Sequence, residues 1–242
     1  MTPATLAALR QAQAQGRSVA LVTRLGDGAQ CLVESQQIRG ELALSPAAHA
    51  EVQERLTGDR SGPLQCDEAL FTRVYAPAYR LLIVGAVHIA QALAPIAAIA
   101  GYEVTVIDPR QAFAAPARFP GISLRHEWPD AALASLAPDA QTAVVALSHD
   151  PKLDDPALAA ALASPAFYVG ALGSRRTHAA RATRLAELGL GEQLARLRAP
   201  VGLDLGGRSS AEIAVAIVAE IIQSRYQGLR SGSARMPGVT TA

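Results

Sequence analysis

The chain is poor in cysteine, in aromatic residues and in net charge, and each shortage narrows what it can be. Its 242 residues include two cysteines, Cys31 and Cys66. Two thiols without C-x-x-C spacing make neither a disulfide framework nor a zinc or redox pair, so both are read as reduced. Aromatics make up 4% of the chain while 50% of it is hydrophobic, which leaves Ala, Leu and Val to fill the interior. Lys plus Arg number 22 against 21 Asp plus Glu. So close a balance gives no global field to draw in nucleic acid or an anionic membrane. No apolar run reaches the length of a membrane span, and the Met1-Thr2-Pro3-Ala4 start lacks the features of a secretory signal. A cytoplasmic protein is the expectation. His49, His88, His126, His149 and His178 have no histidine partner at i, i+4 and no neighbouring cysteine pair, so no protein-ligated metal is expected.

What is present divides into two regions. In the first, Thr2 is placed as an N-cap, Pro3 at the first helical position and Gly16 as the stop of a short helix. Residues 19–23 read as a strand, Gly26-Asp27-Gly28 as turn chemistry, residues 31–33 as a second strand and 37–44 as a third. A helix starts at Ser45-Pro46 and ends near Thr57-Gly58. Residues 58–67, GDRSGPLQCD, are polar and broken by Gly and Pro, which marks them as the linker. A small α+β domain over residues 1–68 is therefore expected. From residue 69 to 228, short apolar strands alternate with Ala/Leu helices, the pattern of a parallel sheet covered on both faces. Further buried strands are expected at 142–147 and 166–169, and Pro129 and Pro156 sit where first helical turns should begin. Ser209-Ser210-Ala211-Glu212 matches a capping box that opens a last helix running to about Arg225. Residues 229–242 have no apolar period and are expected to be disordered.

The stretch 81–110, LLIVGAVHIAQALAPIAAIAGYEVTVIDPR, has the layout of a nucleotide-binding βαβ unit. A buried strand turns at Gly85, an Ala-rich helix follows, and a second strand ends in Asp108. This is Rossmann architecture. Ala90 supplies the small residue that close helix-to-strand packing needs. Val87, however, occupies the place of the glycine that lets backbone amides approach a pyrophosphate, and its branched side chain stands in that path. The fold is expected; a dinucleotide in the usual pose is not.

In open α/β sheets ligands lie beyond the carboxyl ends of the strands, so the polar tips are the candidate binding residues. At the first, Gly85-Ala86-Val87-His88, a histidine in the first turn of a helix either bonds a ligand or caps local backbone. At the second, Asp108 either takes ribose-like hydroxyls or caps a turn. Arg110 beside it either binds a phosphate or carboxylate or forms a surface ion pair. At the third, His149 and Asp150 are adjacent and cannot orient each other as a catalytic pair, so ligand contact or turn structure is expected and no catalytic residue is nominated. At the fourth, Gly170, Gly173, Ser174, Arg175 and Arg176 combine a glycine loop, an N-cap and two guanidinium groups into a compact anion site. The plainer alternative is a glycine turn followed by a solvated basic helix face that also bears Arg181 and Arg184. Near Asp204, the segment VGLDLGGR repeats a glycine-rich turn onto a helix, as a second anion contact or an interface.

Four segments in the same order, RLLIVGAVHIAQALAPIAAIAGYEVTVIDPR, AVVALSHDPKLDD, YVGALGSRRTH and APVGLDLGGRSSAEIAVAIVAEII, resemble the XdhC/CoxI family of xanthine dehydrogenase accessory proteins. The resemblance covers most of residues 70–226. It implies a small N-terminal domain before a Rossmann domain, a homodimer, and the binding of molybdenum cofactor (molybdopterin). It further implies support of the cofactor's sulfuration by a cysteine desulfurase and delivery to an apo molybdenum hydroxylase. Two positions depart from the family pattern: Val87 replaces the second glycine of Gly-Ala-Gly-His, and Gly28-Ala29-Gln30-Cys31 stands where many members carry Ser-Gly-Gly-Cys. Cys31 is accordingly read as a buried strand residue. The rival reading is an NAD(P)-dependent oxidoreductase with Asp108 on the ribose and His88 or His149 as proton donor. A third is a nucleotide-sensing module. Val87 and the lack of a Tyr and Lys pair at helical spacing weigh against the oxidoreductase.

Overall fold

The computed structural model describes residues 1–35 and 37–233. Two compact units are present, Met1–Pro77 and Ala78–Gly228. The first comprises α1 (Pro3–Ala14), β1 (Val19–Arg24), β2 (Gln30–Glu34), β3 (Gln37–Gly40), α2 (Pro46–Thr57), β4 (Gly62–Pro63) and β5 (Leu70–Tyr75), with an antiparallel sheet in the order β3-β2-β1-β5-β4. Thr2 and Ser45 cap the two helices with their hydroxyls on the Thr5 and Ala48 amides. The third strand stops at Gly40, short of the expected residue 44, because Gly40 has φ +136° and crosses so near β2 that a Cβ would lie 2.6 Å from the Gln30 carbonyl oxygen.

The expected linker at 58–67 is part of this unit. Its polar groups are tied down: Ser61 Oγ accepts from the Val74 amide at 3.0 Å, and Glu51 accepts from the Gln65 and Cys66 amides. Strand β5, which its alternating burial fits to a sheet with one covered face, pairs along its whole length with β1. The division of the chain thus falls between Pro77 and Ala78, later than residue 68.

The second unit contains β6 (Arg80–Val84), α3 (His88–Ile99), β7 (Glu103–Ile107), β8 (Ser123–Arg125), α4 (Pro129–Leu136), β9 (Thr142–Ala146), α5 (Pro151–Ala163), β10 (Tyr168–Ala171), α6 (Arg175–Glu187), β11 (Leu197–Arg198) and, up to Gly228, α7 (Ser210–Ser233). Its sheet has the order β11-β10-β9-β6-β7-β8, and neighbouring strands run parallel throughout. In order of occurrence this is 6-5-4-1-2-3, the Rossmann arrangement, with its switch point between β6 and β9. The central strands show why the sequence has no alternation there: β9, TAVVA, is buried at every position, because helices cover both faces. One core layer joins β6, α3 and α7 through Ile83, Leu93 and Ile217; the other joins β9, α4 and α5 through Val144, Leu133 and Leu158.

Several boundaries differ from expectation. Helix α5 begins at Pro151 under an Asp150 cap, which leaves Pro156 inside the helix instead of in its first turn. Strand β10 lies two residues later than expected, so Gly170 is a strand residue, paired with Val145 and Arg198, and not part of the loop. Helix α7 continues past Arg225 to Ser233; the rest of the expected disordered tail, residues 234–242, lies outside the described residues. Among the described residues no helix is long and apolar enough to cross a membrane.

Candidate functional site

The strand tips form two groups. The first surrounds the switch point. Gly85 has φ +101°, and a Cβ there would lie 2.7 Å from the Ser148 backbone nitrogen, so the chain needs glycine for both conformation and space. Asp108 is fully buried. Its Oδ2 accepts from the Ala86 amide and from Arg110 Nη2, both at 2.8 Å, and its Oδ1 accepts from Arg110 N at 3.0 Å and Nε at 2.9 Å. Burial alone would raise the Asp108 pKa, but Arg110 and the Ala86 amide outweigh it and hold the carboxyl below its usual value. The ribose-binding and phosphate-binding roles considered for this pair are thus set against a different use: acid and guanidinium satisfy each other and pin the Gly85-Ala86 turn. Arg110 also lies over the Phe113 ring at 4.3 Å.

Around this anchor, the more open groups are histidines. His88 opens α3 and is exposed, while Val87 is half-buried and packs against the core as the helix N-cap, with no side-chain bond to the helix. His149 is exposed with φ +63°, a left-handed conformation uncommon for any residue but glycine. Asp150 is the cap of α5, its carboxylate accepting from the Lys152 amide at 3.0 Å.

Asp154, which the sequence does not single out, and Arg181 of the basic helix face join the groups. Asp154 is fully buried; it accepts from Ser148 Oγ at 2.6 Å and from Arg181 Nη2 at 3.1 Å. Arg181, 2% exposed, in turn donates to the Leu172 carbonyl from both Nη atoms at 3.2 Å. Arg184 pairs with Asp155. The helix face that the plainer alternative reads as solvated and basic therefore carries a buried ion pair that ties the β9 tip to the β10 tip. Desolvation pushes the Asp154 pKa up, against the pull of Ser148 and Arg181.

The second group lies beyond β10. Ser174 caps α6, accepting from the Thr177 amide at 3.2 Å, and Gly173 before it has φ +146°. The Arg175 and Arg176 side chains are exposed and make no hydrogen bond or ion pair within the described residues. Arg175 lines a cleft of about 480 Å³ with Leu172, Leu203, Asp204, Leu205 and Ile213. The cleft has a supported wall: Glu220 Oε2 accepts from the Tyr168 hydroxyl at 2.5 Å and from the Gly202 amide at 2.7 Å. Gly170 leaves room for that wall, since a Cβ on it would lie 2.6 Å from Val201 Cγ2. Beside the cleft, the expected capping box is formed, with Glu212 Oε2 accepting from the Ser209 amide at 2.9 Å and the Glu212 amide donating to Ser209 Oγ at 3.2 Å. Among the described residues, no group of three or more His, Cys, Asp or Glu side chains is placed to hold a metal ion.

Comparison with known proteins bears on the same region. The chain is similar to the molybdenum cofactor insertion chaperone PaoD of Escherichia coli, with 37% identity over 152 residues, 62% of this chain and 42% of that protein. It is 32% identical over 157 residues to a protein of Bacillus subtilis described as a probable component of xanthine dehydrogenase, covering 64% of this chain and 46% of that one. The chain therefore spans less than half the length of these relatives. A crystal structure of a xanthine dehydrogenase from Bacillus halodurans superposes with a TM-score of 0.73 over 95% of this chain and 68% of that one; at 22% identity it shows a shared fold. The XdhC Rossmann domain matches residues 81–221, from the first strand of the parallel sheet into its last helix, and on that match the chain belongs to the XdhC family.

Proposed function

We propose that the protein is a carrier for molybdenum cofactor, which it binds as cargo on the strand-tip face and hands to an apo molybdenum hydroxylase of the xanthine dehydrogenase type. The observation that carries this reading is the contrast between the two groups of tips. At the switch point, the acid and arginine that a dinucleotide would need are spent on each other. Beyond β10, two guanidinium groups and a helix start stand open beside a cleft. Free guanidinium donors and helix-start amides suit the phosphate of a molybdopterin, and an apolar cleft with a few polar groups suits its ring system. His88, His149, Ser174, Arg175, Arg176 and Asp204 are the proposed contacts. Gly85, Ala86, Asp108, Arg110, Asp150, Gly170 and Gly173 shape and hold the surface. The name of the Escherichia coli relative supports the same class of cargo.

Sulfuration in this reading is done to the bound cofactor by a cysteine desulfurase, without a sulfur relay on this chain. Burial pushes the Cys31 thiol up to about 11, and burial and Glu51 raise that of Cys66, so neither is activated as a thiolate. A homodimer is part of the proposal. The test is titration of the purified protein with freshly released molybdenum cofactor and, in parallel, with a nicotinamide dinucleotide. Tight cofactor binding with the dinucleotide ignored is expected, and Arg175→Ala should weaken it by about 1.5 to 3 kcal/mol, the range for a charge-assisted hydrogen bond. Dinucleotide binding with the pterin ignored would replace this reading with the oxidoreductase.

A further inference from the structure

The cleft beside β11 has a pattern of charge that specifies more than an anion. Arg175 and Asp204 both line it, yet no ion pair joins them. The other carboxylate there, Glu212, has Oε2 occupied by the Arg208 and Ser209 amides and the Ser209 hydroxyl, each at 2.9 Å. Asp204 is exposed and makes no hydrogen bond within the described residues. The same lining includes the apolar side chains of Leu172, Leu203 and Ile213, and Leu205, also in it, stands at 59% exposure. An unpaired arginine and an unpaired aspartate in the lining of one cleft are complementary to a flat ligand that carries an anion at one end and paired N–H donors at the other. The volume of about 480 Å³ is that of a small-molecule site.

Resting on the reading of the cargo as a pterin cofactor, we infer that this cleft is the subsite for a 2-amino-4-oxo heterocycle bearing a phosphate. Asp204 accepts from the ring N–H and the adjacent 2-amino group, Arg175 takes the phosphate, and the apolar walls cover the ring faces. Pterins and guanine share this donor edge. Adenine, with a donor next to an acceptor, and hypoxanthine, without the 2-amino group, do not. Asp204 is then the residue that selects the heterocycle, and Arg175 contributes affinity without selecting it.

The experiment is equilibrium titration of the whole chain with neopterin monophosphate, GMP, IMP and AMP, in the natural sequence and in Asp204→Asn and Arg175→Ala, with melting curves to verify that both variants fold. Neopterin monophosphate or GMP should bind roughly ten- to a hundredfold more tightly than IMP and AMP, the factor for hydrogen bonds to a charged acceptor. Whichever of the two binds more tightly identifies the source of the edge. Asp204→Asn should erase that preference, and Arg175→Ala should weaken all four ligands by a similar factor. Equal affinity for GMP and IMP, a preference that survives in Asp204→Asn, or no binding of any probe would overturn the subsite. Released molybdenum cofactor titrated alongside separates the two claims. If it binds the natural protein and Asp204→Asn equally, the subsite falls and the carrier stands; if it does not bind while the amino-bearing probes do, the carrier falls and the subsite stands.

Discussion

Single residues set the limits of this surface. Gly85 combines φ +101° with a Cβ position 2.7 Å from the Ser148 nitrogen, so any side chain must strain its own backbone and push the β9 tip away. Gly85→Ala is expected to lower unfolding free energy by about 1 to 3 kcal/mol, measured by urea denaturation. An unchanged midpoint would show that the two tips can separate freely. In the first unit, burial works to raise the Glu51 pKa, but the Gln65 and Cys66 amides and Arg55 prevail and bring it from the ordinary 4.5 to about 2. A folded value below the unfolded one stabilises fully above the unfolded pKa and loses that contribution as pH falls through the window from about 4.5 to about 2. Melting temperatures recorded across that window should fall more steeply for the natural protein than for Glu51→Gln; parallel curves would remove Glu51 from the acid response.

At the scale of elements, the joint between helices α5 and α6 matters most. Helix α5 supplies two consecutive acids, Asp154 and Asp155, and helix α6 two bases three residues apart, Arg181 and Arg184, and the pairs meet across 27 and 29 residues of sequence. Breaking a buried pair strands a charge, so Asp154→Ala should cost about 3 to 5 kcal/mol, whereas replacing both partners with apolar residues of similar volume, Asp154→Leu with Arg181→Met, should cost less. Equilibrium unfolding of the two variants decides this, and a double variant worse than the single one would mean that the Leu172 carbonyl depends on Arg181 more than the charges depend on each other. The same joint holds the β10 tip in register with the β9 tip. The elements legible in sequence were those with local punctuation: Thr2 before α1, Ser45 before α2, Ser174 before α6 and the Ser209 to Glu212 box before α7 all cap as expected. Strand β5 is not legible in sequence because its sheet lies back at β1, some fifty residues earlier along the chain.

For the molecule as a whole, the cores are separate in composition. The clusters around Ile83 and Val144 draw only on residues of the second unit, and those around Val22 and Leu9 only on the first. All proposed cargo contacts belong to Ala78–Gly228. A fragment covering residues 78–233 should therefore melt cooperatively and bind released molybdenum cofactor within about threefold of the whole chain, since domains with their own core fold alone. A fragment that folds but does not bind would assign part of the cargo site to the first unit.

Hydrophobic period, glycine positions and caps determined the parallel sheet, its four central strands and the set of polar tips, because these depend on neighbours a few residues apart, whereas the short edge strands β8 and β11 carry no such local signal. Val87 already argued in sequence against a pyrophosphate in the usual pose. Which tips remain available to a ligand was decided only by tertiary structure. Asp108 and Arg110 look as free in sequence as Arg175 and Asp204, and the difference is burial: a carboxylate removed from water must be satisfied by protein donors, so Asp108 takes Arg110 and the Ala86 amide, while Arg175 and Asp204 remain in solvent with their hydrogen bonds unspent.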